Sequence, residues 1–192
     1  MKLMFLDIET TGFDRRWDYI IELAAVIYDS QRKMELAEFH EYIKPGKTIP
    51  DKIVELTGIT NRQVNKCRSE GEVIRDFIEF IAIQKPDMIV AHNGDQFDIP
   101  FIKSKAEYYF YHLDDIPTID TLKIARDLKP AVTDLTAKGR PSYKQTSLAK
   151  FYNIEYQAHS AIFDVKALIL IYNKMKEVQE ENVKTKRKRL GF

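Results

Sequence analysis

Three strand-like stretches stand one after another before any helical pattern appears, and that order constrains the fold more than any other feature of the chain. The first is the apolar run Leu3–Leu6, carried on through Asp7. The second is Trp17–Tyr28, where Ile20, Ile21, Leu23, Ala24, Ala25, Val26 and Ile27 are interrupted only by Glu22. The third, Glu38–Ile43, follows a turn over Asp29–Lys33. β-Branched runs bounded by turn residues read as strands, and successive strands with short turns pair antiparallel. After Pro45-Gly46 the pattern changes. Short helices are predicted over Ile49–Leu56, with Pro50 at the start and Thr57-Gly58 as the stop, and over Asn61–Asn65, capped by Thr60. Ser69–Ile83 is amphipathic: Val73, Phe77 and Ile81 recur at i, i+4 and i+8, and Ser69 with Glu72 makes a capping box.

From there strands and helices alternate. Met88–Ala91 is a short strand, and a helix opens at Asp98 with Pro100 in its first turn. Ile116–Ile119 is another strand, with a helix from Asp120. Lys129–Tyr143, with Pro130, Gly139 and Pro141, reads as a loop or lid. Helices over Gln145–Tyr152 and from Ser160 to about Glu180 close the pattern. Such alternation gives parallel strands. The expected class is α/β, a five-stranded mixed sheet flanked by helices.

Composition bounds the rest. At 192 residues the chain fits one domain, taken as residues 1–180, with a basic tail over 181–192 that carries Lys184, Lys186, Arg187, Lys188 and Arg189. The formal net charge of +1 does not announce a polyanion partner. The single cysteine, Cys67, excludes an internal disulfide and a cysteine-rich zinc site, and it is consistent with a reducing compartment. No apolar run reaches the roughly 18–20 residues of a membrane span. Lys2, a short apolar run and then acids do not make a signal peptide. The expectation is a cytoplasmic protein with no membrane partner.

The chemistry gathers at strand and helix ends. Asp7 and Glu9 are two residues apart on an extended segment, so both point to one face. Two like charges side by side repel, and a hard divalent cation such as Mg²⁺ or Mn²⁺ is the usual remedy. Asp98 follows a strand and opens a helix, and Asp164 stands in the first turn of the last long helix. Sheets of this class place their sites beyond the carboxyl ends of parallel strands, so these acids can converge. His159, on the loop before the last helix, is placed for proton transfer. Four convergent acids can hold two cations, the common device for phosphodiester hydrolysis. Glu22 reads more readily as a paired or solvent-facing acid than as a further carboxylate beside the metals. His92 reads as structural, His40 and His112 as solvent-facing, and Asp120 as a helix cap.

These segments resemble the DEDD-type 3′–5′ exonucleases on the branch with a histidine in the third motif, best known from proofreading subunits and domains of bacterial replicative polymerases. Phe5-Leu-Asp-Ile-Glu-Thr-Thr-Gly12 resembles the first motif, His92-Asn-Gly-Asp-Gln-Phe-Asp98 the second and His159-Ser-Ala-Ile-Phe-Asp164 the third. Ile49-Pro50 through Thr60 and Asp120-Thr-Leu122 with Ala125-Arg126 are lesser matches. The second motif has three residues between Asn93 and Phe97 where the branch usually has two. That leaves Asp95 as the alternative to Asp98; Asp98 is preferred because Phe97-Asp98 directly precedes the helix. Tyr156 is not at the spacing of the tyrosine branch, so His159 is kept as the base.

The resemblance implies an RNase H-like fold and a two-metal site with Mg²⁺ or Mn²⁺. In that site Asp7 bridges both ions, Glu9 and Asp164 complete one shell, and Asp98 holds the second ion. His159 would deprotonate the attacking water. Thr10, Thr11 and Gly12 would line the terminal nucleotide, and Asn93 would contact the strand. The implied activity is 3′–5′ hydrolysis of single-stranded DNA ends to nucleoside 5′-monophosphates in proofreading or repair, with a DNA polymerase subunit as a partner. An exoribonuclease and a non-catalytic nucleic-acid-binding module are the alternatives.

Overall fold

The computed structural model describes residues 1–190, with side chains described through Lys186. Strands β1 (Lys2–Thr10), β2 (Ile20–Asp29) and β3 (Met34–Lys44) form an antiparallel meander. Two short helices follow, α1 (Asp51–Thr57) and α2 (Asn61–Val64), then strand β4 (Arg68–Ser69) and helix α3 (Glu70–Gln84). The second half alternates β5 (Met88–Ala91), α4 (Asp98–Tyr108), β6 (Thr118–Asp120), α5 (Thr121–Leu128), α6 (Gln145–Phe151) and α7 (Ala161–Leu190). The sheet has six strands in the order β4-β3-β2-β1-β5-β6, with β5 and β6 parallel to β1.

The expected count of five strands therefore rises to six. The addition is β4, two residues lying parallel to the end of β3, with Ile43 opposite Arg68 and Lys44 opposite Ser69. A two-residue strand carries no alternation, so its pairing is visible only once β3 is in place. Helix α7 also runs past the expected end near Glu180. Residues 161–190 contain neither proline nor glycine, and Lys, Glu, Gln and Arg are good helix formers, so nothing local stops it. Lys184 and Lys186 of the basic tail thus lie on α7. The side chains of Arg187, Lys188 and Arg189 fall outside the described residues, as does the chain end at 191–192.

Alternation along β1 sorts its side chains between two cores. Met4, Leu6 and Ile8 pack with α3 and α4, among Val73, Phe77, Phe101 and Ile102. Leu3 and Phe5 pack on the other face with Val165, Leu168 and Tyr172 of α7. Local chemistry fixes the ends. Ser69 and Glu72 form the predicted capping box of α3. The Asp120 carboxylate accepts from Leu122 N–H at 2.9 Å and caps α5. Gly58 ends α1 at φ +74, in the left-handed region. A buried ion pair, Glu70 with Lys105 at 3.7 Å, ties α3 to α4, and Glu70 also accepts from Ile20 N–H at 2.7 Å, which fixes the start of β2. No described helix is long and apolar enough to cross a membrane.

Candidate active site

Odd-numbered positions of β1 face α7, so Asp7 and Glu9 continue the row begun by Leu3 and Phe5. Asp164, in the first turn of α7, meets them there. One carboxylate oxygen each from Asp7, Glu9 and Asp164 lies within 4.8 Å of the others. Asp98 reaches the same place over the end of the sheet. β5 pairs with β1 only as far as Phe5, which leaves the β1 edge open beyond it. The Asp98 carboxylate fills that gap and accepts from Ile8 N–H at 3.2 Å. The turn that delivers Asp98 is tight: Asn93 has φ +63, and a Cβ on Gly94 would fall 2.3 Å from that of Ala91.

Asp164 is held from two sides. Gln145 Nε2 donates to its Oδ1 at 2.9 Å, and His159 N–H donates to its Oδ2 at 2.8 Å. His159 itself is exposed, at φ +65. Asp7, Glu9, Asp98, Asp164, His159 and Asn93 all line one cleft of about 400 Å³, with Ile8, Phe13, Gln96, Phe97, His92 and Gln145 completing its wall. Thr10, Thr11 and Gly12 do not line it. Their atoms build the turn beside it: Thr10 Oγ1 donates to Gly12 O at 2.6 Å, and Thr11 Oγ1 donates to Asp18 at 3.1 Å.

Asp95 lies apart, accepting from Thr118 Oγ1 at 2.7 Å and pairing with Lys123 at 2.6 Å. His92 packs into the structure, with Nδ1 2.9 Å from Thr121 Oγ1. Burial holds its pKa down to about 4, so the ring is neutral near pH 7. His112 is exposed. His40, expected to face solvent, is half-buried, its Nε2 2.8 Å from the fully buried Glu22 Oε1. The register explains this: β3 places His40 opposite Ala24, on the side of the sheet that carries α7. Glu22 is thus a paired acid. Ser160 Oγ also donates to it, at 3.1 Å.

The four acids repel one another in a dry place. Burial first, and then Asp98, Asp164 and Glu9, push Asp7 well above the usual carboxylate range. Burial, then Asp164 and Glu22, raise Glu9 to about 8. Burial raises Asp98 to about 7 against its backbone hydrogen bonds, and burial raises Asp164 as well. Groups this reluctant to ionise alone are a fit site for cations, whose charge reverses the repulsion. All-oxygen donors suit Mg²⁺ or Mn²⁺. Burial and the Asp164 charge raise the phenol pKa of Tyr156.

Sequence reasoning missed Gln145 and Phe13. Gln145 opens a helix with no motif around it, and only the packing of α6 against α7 brings it to Asp164. Phe13 carried one signal, an aromatic residue directly after the Gly12 turn.

Residues 4–172 match the RNase_T family model, described as exonuclease. A PolC-type DNA polymerase III of Pediococcus pentosaceus is 34% identical over 183 residues, covering 93% of this chain and 12% of the relative. That of Bacillus subtilis is 33% identical over 180 residues, covering 92% and 12%. The chain thus spans a small share of these relatives' length. Among solved structures, E. coli exonuclease I in complex with a dT13 oligonucleotide has a TM-score of 0.83 at 23% identity, over 96% of this chain and 43% of that one. Cell-death related nuclease 4 gives 0.74 at 19%, over 92% and 64%. These likenesses establish an RNase H-like fold.

Proposed function

Because the chain belongs to the RNase_T exonuclease family, we propose that it is a metal-dependent 3′–5′ exonuclease that removes nucleoside 5′-monophosphates from single-stranded DNA ends. The observation that carries this reading is the convergence of Asp7, Glu9 and Asp164 within 4.8 Å, with Asp98 beside them and His159 tied by its backbone to Asp164. Divalent cations bound by these acids would lower the pKa of an attacking water and offset the charge that builds on the phosphoryl and leaving oxygens. Asp7, which feels Asp98, Asp164 and Glu9 together, would be suited to share both ions. Glu9 and Asp164 would complete one ligand set, and Asp98 would serve a second.

The remaining groups orient and transfer protons. The imidazole of His159, on the exposed rim, accepts the proton of the attacking water. Gln145 holds Asp164 in place while this happens. Asn93 and the Phe13–Phe97 pair, ring centroids 6.0 Å apart, form a polar and an apolar wall for the terminal nucleotide. Replication or repair is the proposed setting, and a DNA polymerase the proposed partner, in keeping with the PolC-type relatives. The test is digestion of 5′-labelled DNA and RNA strands of matched sequence with Mg²⁺, Mn²⁺ or chelator. The reading predicts a ladder shortening from the 3′ end of DNA, lost on chelation. Products that shorten from the 5′ end, RNA cleaved in preference, or undiminished cleavage in chelator would each overturn it.

A further inference from the structure

The loop that leaves β1 carries the chain's only tryptophan, and it faces water: Trp17 is 74% exposed. A lone exposed ring is ordinary by itself; what sets Trp17 apart is the hydrogen-bonded loop that carries it along with Phe13 of the cleft wall. It is held in place. Thr11 N–H donates to Tyr19 O at 2.8 Å and closes the loop that leaves β1. Within it, Trp17 N–H donates to Asp14 O at 3.0 Å and Asp18 N–H to the same oxygen at 2.7 Å. The Asp18 carboxylate is the hub, accepting from Asp14 N–H at 2.8 Å, Thr11 Oγ1 at 3.1 Å and Lys47 Nζ at 2.5 Å. It fits only because residue 12 is glycine, whose missing Cβ would lie 2.5 Å from Asp18 Oδ2. The loop therefore presents its aromatic ring on a fixed scaffold.

Position and charge name the occupant. Phe13, four residues before Trp17, lines the acidic cleft, and Trp17 stands two residues from the Thr11–Tyr19 closure. Two residues of backbone span at most about 7 Å, so Trp17 is anchored close to that closure. Its neighbours Arg15 and Arg16 are exposed; Arg16 pairs with Asp14 at 3.5 Å, and Arg15 makes no ion pair among the described residues. Aromatic faces flanked by cations are the recognition chemistry of unpaired nucleobases on a polyanionic backbone.

Resting on the proposed exonuclease reading, we infer that Trp17 is a stacking platform for a base upstream of the 3′ terminus, so that the β1–β2 loop selects single strands. Because the tryptophan is unique, its emission reports directly on that contact. The full-length protein is titrated with oligothymidylate in Ca²⁺, with binding followed independently by anisotropy of a 5′-fluorophore. The expected result is saturable quenching of tryptophan emission at the same midpoint as the anisotropy. Trp17→Ala should bind about tenfold more weakly, with Trp17→Phe recovering most of that loss. The penalty should grow from a dinucleotide to an octanucleotide. Binding without quenching, or Trp17→Ala binding as tightly as the native protein, would overturn the platform. Neither outcome depends on turnover, so a catalytically inert protein that quenched would spare this inference while removing the exonuclease reading.

Discussion

Glu22 lies directly opposite Glu9 across the β1–β2 ladder, its carboxylate fully buried. Side chains of such a pair share one face and stand close. The negative charge is met from the far side by His40 Nε2 at 2.8 Å and by the Ser160 hydroxyl. This cluster joins β2, β3 and the residue that follows His159. Replacing His40 by Ala should cost about 1–3 kcal/mol, because a buried carboxylate loses a partner. In a Glu22→Gln background the same change should cost less, since a buried amide loses less than a buried carboxylate when a hydrogen-bond partner is removed. Urea denaturation of the four proteins measures the coupling. Equal costs in both backgrounds would show that the two side chains do not depend on one another.

The raised carboxyl groups predict how stability varies with pH. Glu9 titrates at about 8 in the folded protein against an ordinary 4.5, and Asp98 at about 7 against 3.8. Between each pair of values the native state binds more protons than the unfolded one, so stability falls as pH rises. The metal-free protein should therefore have a lower Tm at about pH 8 than at about pH 5. Mn²⁺ displaces the same protons, so its stabilising effect should be larger at the higher pH. Melting curves in chelator and in Mn²⁺ at both pH values check this. A metal gain that shrinks with rising pH would count against the cluster as the binding site.

Asp95 and Asp98 separate cleanly. Asp98→Asn should remove nearly all nucleotide release, since this carboxylate faces Asp7 at the end of β1. Asp95→Asn should leave release unchanged, because Asp95 spends its oxygens on Thr118 and Lys123. Parallel assays on one labelled strand decide it, and the reverse ranking would reassign the second motif.

His159 needs a substitution that respects its backbone. At φ +65 an alanine would add strain, whereas asparagine tolerates the left-handed region. His159→Asn should keep metal affinity and lose about 10²–10⁴-fold in rate. A loss of metal affinity equal to the loss of rate would make His159 a structural residue of the Asp164 loop.

Much of this architecture was legible in the sequence, for identifiable reasons. Asp7 and Glu9 could be placed on one face because strand alternation is strict, and the Ser69–Glu72 capping box could be read because it is local. What escaped depends on contacts distant in sequence. The Glu22–His40 pair spans two strands whose register shifts between Ile27 and Tyr28, so no spacing rule could match them. Glu70 and Lys105 meet only after α3 and α4 dock. Asp95 and Asp98 share one seven-residue motif, and only the turn at Asn93-Gly94 decides which carboxylate reaches β1. Trp17 read as the start of the second strand, whereas β2 begins only at Ile20 and Trp17 sits on the loop before it.

The central claim is that side chains far apart in the chain jointly hold divalent cations. Calorimetric titration of the metal-free protein with Mn²⁺, beside Asp7→Asn and Asp164→Asn, tests it most directly. The account predicts saturable binding by the native protein that is weakened in both variants, together with proton release on binding near pH 7, where Glu9 and Asp98 still carry protons. Native-like Mn²⁺ affinity in either variant, or no binding at all by the native protein, would contradict it.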